Sequence, residues 1–227
     1  MIIRHGQSAN NLLHEQTRSW VGRVPDPGLT PLGHEQAAQL GEAFASGGLV
    51  RPNVLISSLM LRAVQTSAPL ADALDLPLEG HLELNEVLGV HAGNPREPEE
   101  HRGSPASVLT DASPRLRLPE GAGESGWYDR GIETPAGAVL RAEKVVADLV
   151  DRYGASTDVV AIVCHEWISQ YLLRAAIGLV TPENSAIPWF RLNNTGTMLL
   201  EMSEDDVPPT IVWTNRTDHL RPDQLTL

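Results

Sequence analysis

The sequence predicts an α/β fold, a three-layer α/β/α sandwich around a mostly parallel central sheet. Two observations lead there. Asn53-Val54-Leu55-Ile56 and Val159-Val160-Ala161-Ile162-Val163 are continuous apolar runs, as strands covered on both faces require. Helical periodicity follows each run, and such alternation of strand and helix builds a sheet flanked by helices.

The elements follow in order. Ile2-Ile3 reads as the end of a short buried strand. Ala37, Leu40, Gly41 and Phe44 share a helical face behind the start signal Thr30-Pro31. Val139, Ala142, Val146, Leu149 and Val150 line a second helix opened by Thr134-Pro135. Late strands are expected near Phe190–Leu192, Thr197–Leu200 and Thr210–Trp213. One domain spanning 1–227 is expected, with a loop or cap insertion at about 91–131. That stretch carries five prolines and six glycines, a density that breaks regular elements.

Bulk properties narrow the function. The 227 residues are 41% hydrophobic and 20% charged, ordinary for a soluble globular chain. No apolar run of about 18 residues offers a membrane span. The net charge of −12 disfavours nucleic acid and anionic membranes as partners. Any phosphate site must therefore be a local positive pocket. The first residues do not form a secretory signal, and the single cysteine, Cys164, excludes an intrachain disulfide; a cytoplasmic setting is expected. A homodimer is the candidate assembly.

Three strand ends carry the chemistry. Arg4-His5-Gly6-Gln7-Ser8, with Asn11 beyond, follows the first apolar pair. Ligands of open α/β sheets bind outside the carboxyl ends of strands, so His5 faces a crevice. Arg4 offers a planar fork of donors suited to phosphate oxygens. Arg62 follows the second strand near a helix start, where the helix dipole also favours an anion. His165 ends the third strand. Alone, each could be structural; together, two arginines and two histidines make a phosphate clamp. The other histidines, His14, His34, His81, His91, His101 and His219, show no metal spacing and are expected at the surface. The tryptophans, including Trp20, Trp127 and Trp167, are expected in the core, with a substrate-pocket role the alternative for Trp127. Cys164 is expected to be a small core residue facing away from His165.

These segments resemble the histidine phosphatase superfamily, which includes cofactor-dependent phosphoglycerate mutases and related broad-specificity phosphatases. The resemblance rests on Arg4-His5-Gly6-Gln7-Ser8 with Asn11, Leu29-Thr30-Pro31-Leu32-Gly33 with Gln36-Ala37, and Ser57-Ser58 with Arg62-Ala63-Val64-Gln65-Thr66. Leu84-Asn85-Glu86 and Val163-Cys164-His165 complete it. It implies a phosphoglycerate mutase-like fold and a phosphomonoester hydrolase working through phosphohistidine on His5. Glu86 is implied as proton donor, with His165 the third catalytic residue. Arg4, Asn11 and Arg62 are implied as substrate-binding residues, and Arg23 joins them on a looser match. Gly33 and Gln36 match helix-packing positions, and Asn194 a structural asparagine. No metal or other cofactor is implied, and the partner is a small phosphorylated substrate. The alternatives are a 2,3-bisphosphoglycerate-dependent phosphoglycerate mutase and a non-catalytic phospholigand-binding module of the same fold.

The chemistry sets expectations of its own. His5 must be neutral, with one ring nitrogen donating to a carbonyl near Gly6 and the other free to attack. His165 is expected to be protonated and to share in stabilising the equatorial oxygens with the arginines and Asn11. Two departures from the family stand out. Glu166 follows His165 where many relatives carry glycine, and it either sits beside the phosphate or points away. Val87-Leu88-Gly89-Val90 replaces the Arg and Tyr that mutases carry after the acid, and Arg115 and Arg117 are the candidates for gripping a second anionic group.

Overall fold

The structure, a computed structural model, describes residues 1–94, 96–179, 190–202 and 209–227. In chain order its elements are β1 (Ile2–Arg4), α1 (Ala9–Thr17), α2 (Pro31–Ala45), β2 (Val54–Ser58), α3 (Leu61–Leu74) and β3 (Leu78–His81). Then come β4 (His91–Asn94), β5 (Glu97–Glu100), α4 (Ala106–Ala112), β6 (Leu116–Arg117) and α5 (Pro135–Tyr153). The last are β7 (Val160–Cys164), α6 (Glu166–Ala176), β8 (Thr197–Glu201) and β9 (Thr210–Arg216).

Among the described residues the central sheet has seven strands in the order β6-β3-β2-β7-β1-β8-β9. The pairs β6/β3, β3/β2, β2/β7 and β7/β1 are parallel; β8 and β9 join antiparallel at one edge. The sheet is the mostly parallel one expected. Alternate residues of its central strands face opposite layers, as the pleat dictates. Ile3, Leu55, Ala161 and Val163 pack with Leu40 and Phe44 of α2 and Ala63, Val64 and Leu70 of α3. Ile2, Ile56, Ile162 and Cys164 pack with Ala138, Val139 and Ala142 of α5 and Ile168 and Leu172 of α6. Cys164 is therefore the core residue anticipated.

Helix starts obey local chemistry. The Thr30 hydroxyl accepts from the Gly33 amide at 3.0 Å, and the Thr134 hydroxyl from that of Gly137 at 3.1 Å, each ahead of a proline. Val150, read as core-facing, is exposed near the end of α5. The segment Phe190–Leu192 is not a strand. Its polar groups are taken by side chains: Gln170 bonds both the amide and the carbonyl of Phe190, and Arg4 bonds the Leu192 carbonyl at 2.7 Å. The 91–131 stretch contains the β4/β5 hairpin, α4 and β6, and β6 extends the central sheet beside β3. Among the described residues no helix is long and apolar enough to cross a membrane.

Two glycines let the first loop touch α2. A Cβ at Gly33 would lie 2.1 Å from the Gln7 carbonyl oxygen, and one at Gly6 would lie 2.6 Å from that of Gly33. Both obstacles are backbone, so neither can swing aside. Gly33→Ala is expected to destabilise the fold by about 1–3 kcal/mol, as overpacking does. At ~2–4 °C per kcal/mol for this chain length, differential scanning calorimetry should show Tm lower by roughly 2–12 °C. An unchanged Tm would mean that the contact is not structural.

Candidate active site

Strand register alone brings the predicted residues together. Arg4 pairs with Cys164 and Ser57 with Val163, so β1, β2 and β7 end at one level. The next residues, His5 and His165, leave the sheet side by side, their ring centroids 5.1 Å apart. The turn after β2 opens α3, and Arg62 in its first turn reaches back to His5.

The state of His5 is fixed from both sides of its ring. Nδ1 lies 2.6 Å from the Gly6 carbonyl oxygen, which can only accept, so Nδ1 carries the proton. Arg62 Nε donates to Nε2 at 3.1 Å, so Nε2 carries the lone pair. Burial holds the His5 pKa well below the usual histidine range, and the charges of Arg62 and Arg4 push it further the same way. The neutral imidazole and its Gly6 partner match expectation. The turn is braced by Thr66 Oγ1, which accepts from the Gly6 amide at 2.9 Å, and by Asn194 Nδ2, which donates to the His5 carbonyl at 2.9 Å.

His165 differs from expectation. Its Nε2 lies 2.8 Å from Ser58 Oγ. Burial, Arg62 and the neighbouring His5 hold its pKa well below the usual range, so it is neutral here instead of protonated. Two buried guanidinium groups already supply the cationic charge.

Arg4 is buried. Its Nη1 donates to the Leu192 carbonyl and its Nη2 lies 3.0 Å from Glu166 Oε2. Of the two placements open to Glu166, the structure has the one beside the anion site. Asn11 lines the same cavity, but its side-chain oxygen is spent on the start of α1, accepting from the amide and the hydroxyl of Ser8 at 3.0 and 2.8 Å. Asp26 organises Arg62 from outside. Its Oδ1 accepts from the Leu61 amide at 3.0 Å and stands 3.9 Å from Arg62 Nη1, while Oδ2 accepts from the amide and hydroxyl of Ser104 at 3.0 and 2.7 Å.

Glu86 is half-buried in the cavity wall. Its Oε1 accepts from the amides of Val87 (2.8 Å) and Ile168 (3.0 Å), and Oε2 from that of Trp167 (3.1 Å). Burial raises its proton affinity above the usual glutamate range; the three amides and Arg62 oppose the rise without cancelling it. Arg141 holds the preceding turn by donating to the Asn85 carbonyl at 3.0 Å while pairing with Glu133.

These groups line a cavity of about 630 Å³, the size of a small-molecule site. Among the described residues, four buried nitrogens of its lining lack hydrogen-bond partners: Arg4 Nε, His14 Nδ1, Arg23 Nε and Arg62 Nη1; His165 Nδ1, fully buried beside His5, is a fifth such atom. Buried polar atoms are normally paired, so three orphaned guanidinium nitrogens in one lining describe a binding site for acceptor oxygens. Arg23 faces the Trp20 ring at 5.7 Å, and burial and Arg62 lower its pKa to about 10.

Some cavity residues escaped the sequence reading. His91, read as a surface residue, is only 2% exposed and lines the cavity from β4. His14 is half-buried and stacks on Trp20, ring centroids 4.5 Å apart. Trp20 and Trp167, read as core, are 40% and 49% exposed at the cavity, whereas Trp127 is buried. Arg115, a candidate for a second anion, is committed to Asp72 and Asp75, and neither it nor Arg117 lines the cavity. The pattern around His91 carries no period, so nothing in the sequence could have turned it inward. Among the described residues no cluster of histidine, cysteine and carboxylate side chains is arranged to hold a metal ion.

The family model of the histidine phosphatase superfamily (branch 1) matches residues 1–217. The chain belongs to that superfamily. A 2,3-bisphosphoglycerate-dependent phosphoglycerate mutase from Chelativorans sp. (strain BNC1) is 39% identical over 77 residues, 34% of this chain and 34% of the relative. The matched stretch thus spans about a third of that curated relative. Among solved structures, Entamoeba histolytica phosphoserine phosphatase superposes with a TM-score of 0.63 at 18% identity, covering 97% of this chain and 98% of that one. A mycobacterial glucosyl-3-phosphoglycerate phosphatase gives 0.61 at 19% identity, covering 94% and 96%. The superfamily fold is shared with both.

Proposed function

We propose that the chain is a phosphomonoester hydrolase in which His5 is the nucleophile. The observation that carries this reading is the His5 ring, whose Nδ1 proton is held by Gly6 so that the Nε2 lone pair faces Arg62 in a cavity lined by guanidinium nitrogens that lack hydrogen-bond partners. Arg62 Nε rests on that lone pair. An arriving phosphate draws the guanidinium to its own oxygens and frees Nε2. Nε2 then forms a bond to phosphorus as the ester P–O bond breaks. Arg4, Arg62, Asn11 and His165 donate to the phosphoryl oxygens, and Arg23 binds the substrate farther along the cavity. The leaving oxygen takes a proton from Glu86, whose raised proton affinity suits that task. Water next attacks the phosphohistidine, returns a proton to Glu86 and restores the lone pair to Nε2.

Phosphoserine and glucosyl-3-phosphoglycerate, named for the structural neighbours, mark the range of small phosphoesters to try first. Brief reaction with such a panel followed by acid-free peptide mapping should place an acid-labile, base-stable phosphoryl group on His5. A panel turned over with no phosphohistidine, or a phosphoryl group on another residue, would remove the basis of the proposal. The mutase reading is not favoured, since Arg115 is already committed to two aspartates. The 91–131 stretch is the cap in this reading, because it brings His91 to the cavity. The cytoplasm is the setting we assign, on the single buried thiol.

Glu166 sets the strength of anion binding in this scheme. Its carboxylate is 3.0 Å from Arg4 Nη2, in competition with phosphate for the same donor. Glu166→Gln is expected to tighten competitive inhibition by inorganic phosphate roughly fivefold, the scale of one nearby like charge at a half-exposed site. An inhibition constant equal to that of the wild type would show that the carboxylate swings clear when phosphate enters.

A further inference from the structure

The catalytic scheme leaves one buried, titratable cavity group unused. His91 enters from β4, outside the elements that deliver His5, Arg62 and His165. Its Nδ1 lies 3.2 Å from the Ala92 carbonyl oxygen. A carbonyl only accepts, so Nδ1 carries the proton and Nε2 a lone pair. Nε2 has no hydrogen-bond partner among the described residues. Burial, followed by the charges of Arg23 and Arg62, lowers the His91 pKa to about 4, so the ring stays neutral near pH 7. Arg23 lines the same cavity, and it forms no ion pair or side-chain hydrogen bond among the described residues.

A bare acceptor and an unpaired donor lining one cavity select their ligand by chemistry. A carboxylate or second phosphate would satisfy Arg23 but set oxygen lone pairs against Nε2. An ammonium group would satisfy Nε2 but meet the charge of Arg23. A hydroxyl group accepts from the guanidinium and donates to the imidazole at once. We propose that His91 and Arg23 form a subsite for a hydroxyl on the alcohol portion of the substrate, which makes the preferred substrates phosphomonoesters of polyhydroxy alcohols. The inference rests on the phosphatase reading for the word substrate, yet the subsite itself is a matter of binding. The cavity has room for it: its volume of about 630 Å³ extends past the anion donors to Asn10, Glu15 and Trp20.

Binding of two non-hydrolysable ligands separates the cases: the phosphonate analogue of glycerol phosphate, which carries two hydroxyls, and butylphosphonate, its hydroxyl-free counterpart. Isothermal titration calorimetry on the wild type should give a Kd about tenfold lower for the hydroxylated ligand, the scale of two net hydrogen bonds. In His91→Leu that ratio should fall to about one, and in His91→Asn, whose amide oxygen restores an acceptor, part of it should return. Using the ratio cancels any general loss of anion affinity, and circular dichroism checks that each variant is folded. Equal Kd values in the wild type, a ratio untouched in folded His91→Leu, or no return of the ratio in folded His91→Asn would overturn the subsite. Turnover of p-nitrophenyl phosphate by the wild type reports separately on the phosphatase reading, so either idea can fail while the other stands.

Discussion

Replacing His5 by alanine is expected to abolish turnover, by a factor on the order of a million in kcat, the scale seen when a covalent catalyst loses its nucleophile. The fold should survive. The contacts bracing the turn go to the backbone of residues 5 and 6, so a methyl side chain leaves them in place. Arg4 and Arg62 also remain, so the variant should still bind vanadate or inorganic phosphate. A phosphatase assay beside an anion-binding titration therefore gives a sharp pattern: binding kept, chemistry lost. Activity within tenfold of wild type would move the nucleophile elsewhere and end the mechanism.

Glu86→Gln is expected to lower kcat/KM for alkyl phosphates by ~100- to 10,000-fold, the usual worth of general acid help. With p-nitrophenyl phosphate the loss should be much smaller, because nitrophenolate leaves without a proton. The pH profile gives a second readout. His5 must be unprotonated, and its pKa lies well below 6.5, so activity rises with pH only at acidic values. Glu86 must be protonated, and its pKa is raised above 4.5, so activity falls as pH climbs through that raised value. The glutamine variant should keep the acidic limb and lose the alkaline one. Equal losses on both substrates, with both limbs intact, would assign the acid to another group.

Much of this was legible before any coordinates. Buried parallel strands need unbroken apolar runs, and Val54–Ile56 and Val160–Val163 show them. A threonine hydroxyl followed by proline marks two of the helix starts, Thr30-Pro31 and Thr134-Pro135. Residues at strand ends follow from the strands, so placing His5, Arg62 and His165 required no knowledge of loops. What could not be read depends on contacts distant in sequence. Phe190–Leu192 has the composition of a strand, but Arg4 and Gln170 take its backbone groups. His91 and Trp20 sit in stretches without periodicity, where orientation is set by the element that happens to pack alongside. The sequence predicts a protonated His165 and the structure a neutral one for a similar reason: its charge depends on its own burial and on the arginines buried beside it, and composition is silent on both.

Asp26 joins parts of the molecule that lie far apart in the chain. One of its oxygens holds the first turn of α3 and faces Arg62, and the other holds Ser104 in the segment that also carries His91. One carboxylate thus ties the first turn of α3 to the segment that follows β5, so its loss would release the anchors of Arg62 and Ser104 together.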